Sequence, residues 1–134
     1  MTNILVVEDD FNSLNGLVEL FYQEGYGVFS ARTARQAVVT LLNNPIDIVL
    51  SDYCLPDFDG VRLIKEIKQR KPFTQCFLVT AFATNEVVAS AYQAGARRLL
   101  NKPLVIDELL DAVAEPLPSG YVARPRYNRA IAAL

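Results

Sequence analysis

Five short apolar runs, each followed by a helix-period pattern, alternate along this chain, and that alternation restricts its fold more than any other feature. Ile4-Leu5-Val6-Val7 reads as a buried strand closed by acids. Leu14, Leu17, Val18 and Phe21 follow at i, i+3, i+4, i+7, one face of a helix that Gly25 stops. Tyr26 to Phe29 is a second strand, and Thr33 with Gln36 matches a capping box opening a helix through Ala34, Ala37, Val38, Leu41 and Leu42. Asn43-Asn44-Pro45 breaks the chain ahead of a third strand, Ile46 to Leu50. A polar loop from Asp52 to Gly60 leads into a helix with Val61, Ile64 and Ile67 inward. Cys76 to Val79 is the fourth strand, and Val87, Val88, Ala91 and Ala94 mark the helix that Gly95 ends. Arg97 to Leu100 is the fifth strand, and Ile106, Leu109, Leu110 and Val113 mark the last helix.

Strict strand–helix alternation means βαβ units, hence an α/β fold with a parallel sheet covered on both faces. Five units are too few for an eight-stranded barrel, so the sheet is open and doubly wound. Its ligand site is expected beyond the carboxyl ends of the strands. The pattern fails at Glu115: Pro116, Pro118 and Gly120 admit no helix, and residues 116–134 read as a tail or the start of a linker after a domain spanning 1–115. The tail carries Arg124, Arg126 and Arg129 and a weakly helical end from Ala130.

The 134 residues make about one domain, and 51% hydrophobic with 21% charged residues exclude disorder, collagen and coiled coil. A formal charge of −2 predicts no general pull towards nucleic acid or anionic membrane. The tail has no room for a helix-turn-helix, so no direct nucleic-acid contact is expected of this chain. MTNILVVEDD lacks the basic start and cleavage site of a signal peptide, and no apolar stretch approaches the roughly 18–20 residues of a membrane span. These features predict a cytoplasmic protein. Two cysteines make no disulfide framework. There is no histidine, which removes His-dependent nucleophilic catalysis, His-bearing zinc sites and phosphohistidine on this chain.

The strand ends carry what chemistry remains. The first ends in Glu8-Asp9-Asp10, the third in Ser51-Asp52, the fourth in Thr80-Ala81 and the fifth in Asn101-Lys102-Pro103. The fold rule gathers them at one rim. Clustered carboxylates raise one another's proton affinity unless a cation joins them. An oxygen-only ligand set suits a hard ion such as Mg²⁺, which binds one or two carboxylates plus phosphate oxygens and keeps its waters. A carboxylate can itself be a nucleophile and form an aspartyl-phosphate. The metal and Lys102 would then neutralise phosphoryl charge, and Thr80 would donate to a phosphoryl oxygen.

LVVEDD, DIVLSDYCLPDFDG, LVTA and GARRLLNKP, in this order and spacing, resemble the receiver domain of bacterial two-component response regulators over roughly Asn3 to Glu115. The resemblance implies a flavodoxin-like (βα)₅ sheet of order 2-1-3-4-5. It implies that Asp52 is the phosphoacceptor, served by a histidine kinase or phosphotransfer protein. Mg²⁺ would be held by Asp9 and Asp52, by Glu8 through water and by the Cys54 backbone carbonyl. Thr80 resembles the switch hydroxyl, Lys102 the phosphate-contacting lysine, and the Lys102–Pro103 bond would be cis. Such a domain signals by changed partner binding and is no enzyme beyond its own phosphoryl transfer and dephosphorylation.

The chain departs from the family at Leu99, where receivers usually carry Tyr or Phe. The face from the fourth helix to the fifth is the candidate partner or homodimer surface, with Arg97 and Arg98 favouring an acidic partner or disfavouring the usual receiver dimer. The ordinary readings of the remaining polar residues are local. Asp10 is the N-cap of the first helix, Asp57 and Asp59 are turn and cap residues of the third, and Ser51 satisfies nearby backbone. Cys54 and Cys76 read as small hydrophobes. Two alternatives accompany the receiver reading: a phosphate-independent interaction module, favoured by Leu99, and the amino-terminal part of a longer transcriptional regulator. A metabolic enzyme on this fold is the weakest, since no glycine-rich phosphate loop follows the first strand.

Overall fold

The computed structural model describes residues 1–116. Strands and helices alternate as β1 (Asn3–Val7), α1 (Phe11–Gln23), β2 (Gly27–Ala31), α2 (Ala34–Asn43), β3 (Ile48–Asp52), α3 (Gly60–Arg70), β4 (Gln75–Thr80), α4 (Asn85–Ala94), β5 (Arg98–Asn101) and α5 (Ile106–Ala114). The strands pair in parallel in the order β2-β1-β3-β4-β5. The three most apolar runs therefore occupy the centre and the two weaker ones the edges, as expected when a helix layer covers each face of a parallel sheet. The tail features at Arg124, Arg126, Arg129 and Ala130 lie outside the described residues.

Strand alternation divides the core. Leu5, Val7, Val49 and Leu78 face one helix layer with Leu41, Leu63, Ile64, Ile67 and Tyr92. Ile4, Val6, Leu50 and Phe77 face the other with Leu14, Phe21, Leu109 and Val113. Val61 contributes only a half-buried edge, and Leu63 takes the inward place beside Ile64.

Strand bounds differ from expectation where pairing, rather than apolarity, decides them. β3 starts at Ile48, because Asp47 leaves the ladder to bond Asn3: its N–H donates to the Asn3 carbonyl and its carboxylate accepts from the Asn3 N–H. β2 runs on to Ala31, in register with Val7.

The caps expected at Asp10 and Asp59 are local, and Thr84 adds another, while Asp57 departs from expectation. Asp10 accepts from Ser13 N–H, Asp59 from Arg62 N–H and Thr84 from Val87 N–H. At α2 the Thr33 hydroxyl accepts from Gln36 N–H, but the Gln36 side chain accepts from Arg32 N–H, one residue earlier than a capping box requires. Asp57 does not serve α3. Its carboxylate crosses to α2 and accepts from Ala34 and Arg35 N–H at 2.9 and 2.8 Å.

Lys68, in the last turn of α3, is buried, with its ammonium on the carbonyls of Pro72 and Thr74. Gly95 closes α4 at φ +110°, and a Cβ there would stand 2.8 Å from the Lys68 Cγ. Gly16 lies exposed in α1 with open space around it. The same substitution should act with opposite sign at the two positions. Gly95→Ala is expected to lower stability by about 1–3 kcal/mol, while Gly16→Ala raises it by about 0.5–1 kcal/mol. Urea melts of the two variants check this.

Candidate functional site

The rim at the carboxyl ends of β1, β3, β4 and β5 brings Glu8, Asp52, Thr80 and Lys102 together. Lys102 follows β5, and its N–H donates to the Thr80 carbonyl at 2.9 Å. The Lys102–Pro103 bond is cis. From there the Lys102 ammonium donates to Asp52 Oδ2 at 3.0 Å and lies 3.8 Å from Glu8 Oε1. One cation thus bridges acids from two neighbouring central strands. Beneath them a cavity of about 290 Å³ is floored by Val6, Leu17, Leu50 and Leu104, so the acids stand on an apolar base.

That base sets their electrostatics. Glu8 is buried, at 6% exposure, and burial is the first cause that pushes its carboxyl up to about 7. The hydrogen bond and negative charge of Asp52 push the same way, against the Lys102 charge. For Lys102, burial works downward, but the hydrogen bond and charge of Asp52 and the charge of Glu8 outweigh it and raise the ammonium. A proton-hungry carboxylate beside a second carboxylate is the signature of a place short of positive charge, which a divalent cation would supply.

The other candidates surround this centre. Asp9 is exposed, its carbonyl accepting from the Arg32 guanidinium. Among the described residues, no group of three Asp, Glu, His or Cys side chains could hold an ion by side chains alone. A cation here would need one or two carboxylates plus backbone oxygen and water, the habit of Mg²⁺. Cys54 lies exposed just past Asp52, which corrects its reading as a small hydrophobe; Cys76 is fully buried, and burial pushes its thiol up to about 12. Ser51 donates to the Asp52 carbonyl, the local role expected of it. Gly60 makes room for the same carbonyl: a Cβ at Gly60 would stand 2.4 Å from it.

Thr80 is 1% exposed, and its hydroxyl oxygen accepts from Phe82 N–H at 2.9 Å, leaving the hydroxyl proton to donate. Leu99 is buried, and its N–H donates to the hydroxyl of Tyr92, a buried residue of α4. Burial raises the Tyr92 phenol, more than the Leu99 bond and the Arg98 charge lower it. Tyr92 stands four residues after Val88 on the inward stripe of α4, the signal that could have marked it. Arg97 and Arg98 are not loose positive charges for an acidic partner. Arg97 donates to Gln75 and to the Glu115 and Pro116 carbonyls, and Arg98 holds the Glu115 carboxylate at 2.7 Å.

The fold agrees with that of known proteins. Residues 4–114 match the response regulator receiver domain. Sporulation initiation phosphotransferase F of Bacillus subtilis (strain 168) is 32% identical over 115 residues, 86% of this chain and 93% of that protein. Transcriptional regulatory protein ZraR of Escherichia coli (strain K12) is 36% identical over 107 residues, 80% of this chain and 24% of its own length. The chain therefore spans about a quarter of that regulator. A CheY-like receiver domain protein from Methanospirillum hungatei JF-1 superposes with a TM-score of 0.83 at 30% identity, covering 86% of this chain and 92% of its own. The chain belongs to the response regulator receiver family, a flavodoxin-like domain of two-component signalling.

Two outcomes are expected from this geometry. Since the folded state holds a proton on Glu8 that the unfolded state releases near pH 4.5, stability is fully present below that pH and lost as pH rises towards about 7. Cation-free melting temperatures measured from pH 5 to 8 should fall, and Glu8→Gln should flatten the slope. Tyr92→Phe leaves the buried Leu99 N–H without its acceptor and is expected to cost about 1–3 kcal/mol. Hydrogen exchange at Leu99, faster in the variant, reads that loss at the site itself.

Proposed function

We propose that this chain is a phosphoacceptor receiver: Asp52 takes a phosphoryl group from the phosphohistidine of a histidine kinase or phosphotransfer protein, and the modified domain signals by changed partner binding. The observation that carries the reading is the Lys102 ammonium 3.0 Å from Asp52 Oδ2, beside a Glu8 carboxyl that burial keeps proton-hungry. In the transfer, an Asp52 carboxylate oxygen attacks phosphorus, and the P–N bond to the imidazole breaks with its electron pair returning to the ring. Lys102 then meets the charge on a phosphoryl oxygen, and the Thr80 hydroxyl donates to another. Asp9, Asp52 and the Cys54 carbonyl are the groups that would hold Mg²⁺, with Glu8 reaching it through water. Bound there, Mg²⁺ would neutralise phosphoryl charge and relieve the acid cluster. On this reading the chain is cytoplasmic and no enzyme beyond its own phosphorylation and dephosphorylation. No helix among the described residues is long and apolar enough to cross a membrane. The receiver unit of this reading runs from residue 1 to 115, and residues 116–134 are its tail or the start of a linker.

A second reading rests on β5. Leu99 is buried and tied to Tyr92, which supports a phosphate-independent interaction module that keeps the acidic rim but not the aromatic switch. The partial span of ZraR leaves room for a third, the receiver part of a longer transcriptional regulator.

Intact-mass spectrometry after incubation with a small phosphodonor tests the first reading. The wild type should gain one phosphoryl group only with Mg²⁺ present, and Asp52→Asn should gain none. Lys102→Ala should still bind Mg²⁺ but lose about tenfold or more in phosphorylation rate. A wild type that stays unmodified overturns the reading in favour of the interaction module.

A further inference from the structure

The two acid-bearing loops leave the sheet at β1 and β3, and each is fastened to a third segment that carries no acid, the β2–α2 corner of residues 31–36. Arg32 reaches one loop: its Nε and Nη2 donate to the Asp9 carbonyl at 3.2 and 3.0 Å, with the guanidinium 5.8 Å from the Phe11 ring centroid. The start of α2 reaches the other, where both oxygens of Asp57 accept from Ala34 and Arg35 N–H at 2.9 and 2.8 Å. The corner is itself tied down. Ala31 carbonyl accepts from Glu8 N–H, Gln36 Oε1 from Arg32 N–H and Thr33 Oγ1 from Gln36 N–H. A carboxylate at a helix N-terminus gains from the helix dipole as well as from the bonds. Burial pushes Asp57 up, and backbone N–H bonds, those of Arg35 and Ala34 first among them, more than reverse it.

We infer that Arg32 and Asp57 are positioning residues for the cation site, holding the Asp9 and Cys54 loops at the span a small divalent ion requires. The inference rests on the receiver reading. Its physical basis is that the Cys54 carbonyl can approach an ion only as its backbone allows, while the Asp9 carboxylate reaches out from a backbone whose carbonyl Arg32 holds. A backbone carbonyl has no side-chain torsion with which to adjust, and Mg²⁺ demands near-ideal octahedral geometry at about 2.0–2.1 Å. The β3–α3 loop has one fixed point at each end, in β3 and at the Asp59 cap of α3. Tyr53, beside Cys54, is held by its N–H on the Val79 carbonyl and by its carbonyl on the Gly60 N–H, and Asp57 supplies the further fixed point on the other side of Cys54. Groups that orient ligands from behind in this way commonly change metal affinity about 10–100-fold when removed.

Charge alone predicts a different pattern, which makes the idea testable. Calorimetric titration of MgCl₂ into the full chain, well below each variant's melting temperature, compares Asp57→Ala, Asp57→Asn and Arg32→Ala with wild type. Asp57→Ala is expected to weaken Mg²⁺ about tenfold, while Asp57→Asn, which loses the same charge but keeps an accepting oxygen, stays within about threefold. Arg32→Ala removes a cation near the acids, so charge alone would tighten binding; loss of the brace weakens it. Tighter binding by Arg32→Ala, or equal losses in the two Asp57 variants, overturns the inference. Wild-type phosphorylation on Asp52, followed by intact mass, separates the two failures. Mg²⁺-dependent modification with unaltered affinity in all three variants sinks the positioning role alone. A folded wild type that neither binds Mg²⁺ nor is modified sinks the receiver reading and this role with it.

Discussion

The ammonium of Lys102 between Asp52 and Glu8 is the contact on which the rim depends. Parallel strands deliver their carboxyl ends to one edge of the sheet, and in this chain β1 and β3 are neighbours, so their terminal acids meet. Two carboxylates over an apolar floor repel each other and are poorly solvated. Without compensation the topology that creates the site would also strain it. Lys102 is placed to compensate because β5, though separated from β3 by β4, ends beside Thr80 and sends its side chain across that strand's end. The compensation is partial. One ammonium faces two acids, and the raised Glu8 carboxyl records the remaining deficit of positive charge.

The core explains why polarity is confined to that edge. β1, β3 and β4 are covered on both faces, so their interior positions before the carboxyl-end rim are filled by apolar side chains, and Cys76 belongs with these. Polar atoms that are drawn inward all find partners: Ser51 on the Asp52 carbonyl, Lys68 on the carbonyls before β4, Thr80 on Phe82 N–H. Among the described residues no buried side-chain nitrogen or oxygen lacks a hydrogen bond. A buried group that is satisfied costs little, whereas one left open costs about 1–3 kcal/mol. Glu8 is different in kind. Its pairing is completed by a proton or a cation, so it is the group whose state responds to what enters the rim.

What was legible in the sequence was whatever local periodicity or the parallel-sheet rule encodes. The periods of 2 and 3.6 fixed the ten elements, and the rule that strand ends share a rim gathered Glu8, Asp52, Thr80 and Lys102 before any distance was known. The misses at Asp57, Arg98 and Tyr92 share one cause, which is side-chain pairing that the local pattern does not encode. Asp57 sits two residues before an acid that caps α3, so spacing assigned both to that helix; only tertiary structure shows it capping α2, 23 residues upstream. Arg98 looks like loose surface charge until Glu115, 17 residues on, folds back against it. Cys54 carries no periodic neighbour that would reveal its exposure, and Tyr92 is marked by its stripe as core but not as the acceptor of a strand N–H.

The Arg98 and Tyr92 pairings meet on β5, which gives the absent aromatic at Leu99 its structural context. β5 is four residues long and, among the described residues, an edge strand paired only with β4. Past its carboxyl end, Lys102 holds the acid pair. In its middle, the Leu99 N–H is held by the Tyr92 hydroxyl, so α4 supplies an aromatic hydroxyl to the strand position where receivers usually carry their own aromatic ring. At its start, Arg97 and Arg98 hold the residue that follows α5. A strand with one neighbour gets less of its rigidity from the sheet than a central strand does, and correspondingly more from side-chain bonds of this kind. On the receiver reading a change of charge at Asp52 would be felt by Lys102, which follows β5, and β5 is bonded to α4 through the Leu99 N–H and to the residue after α5 through Arg98.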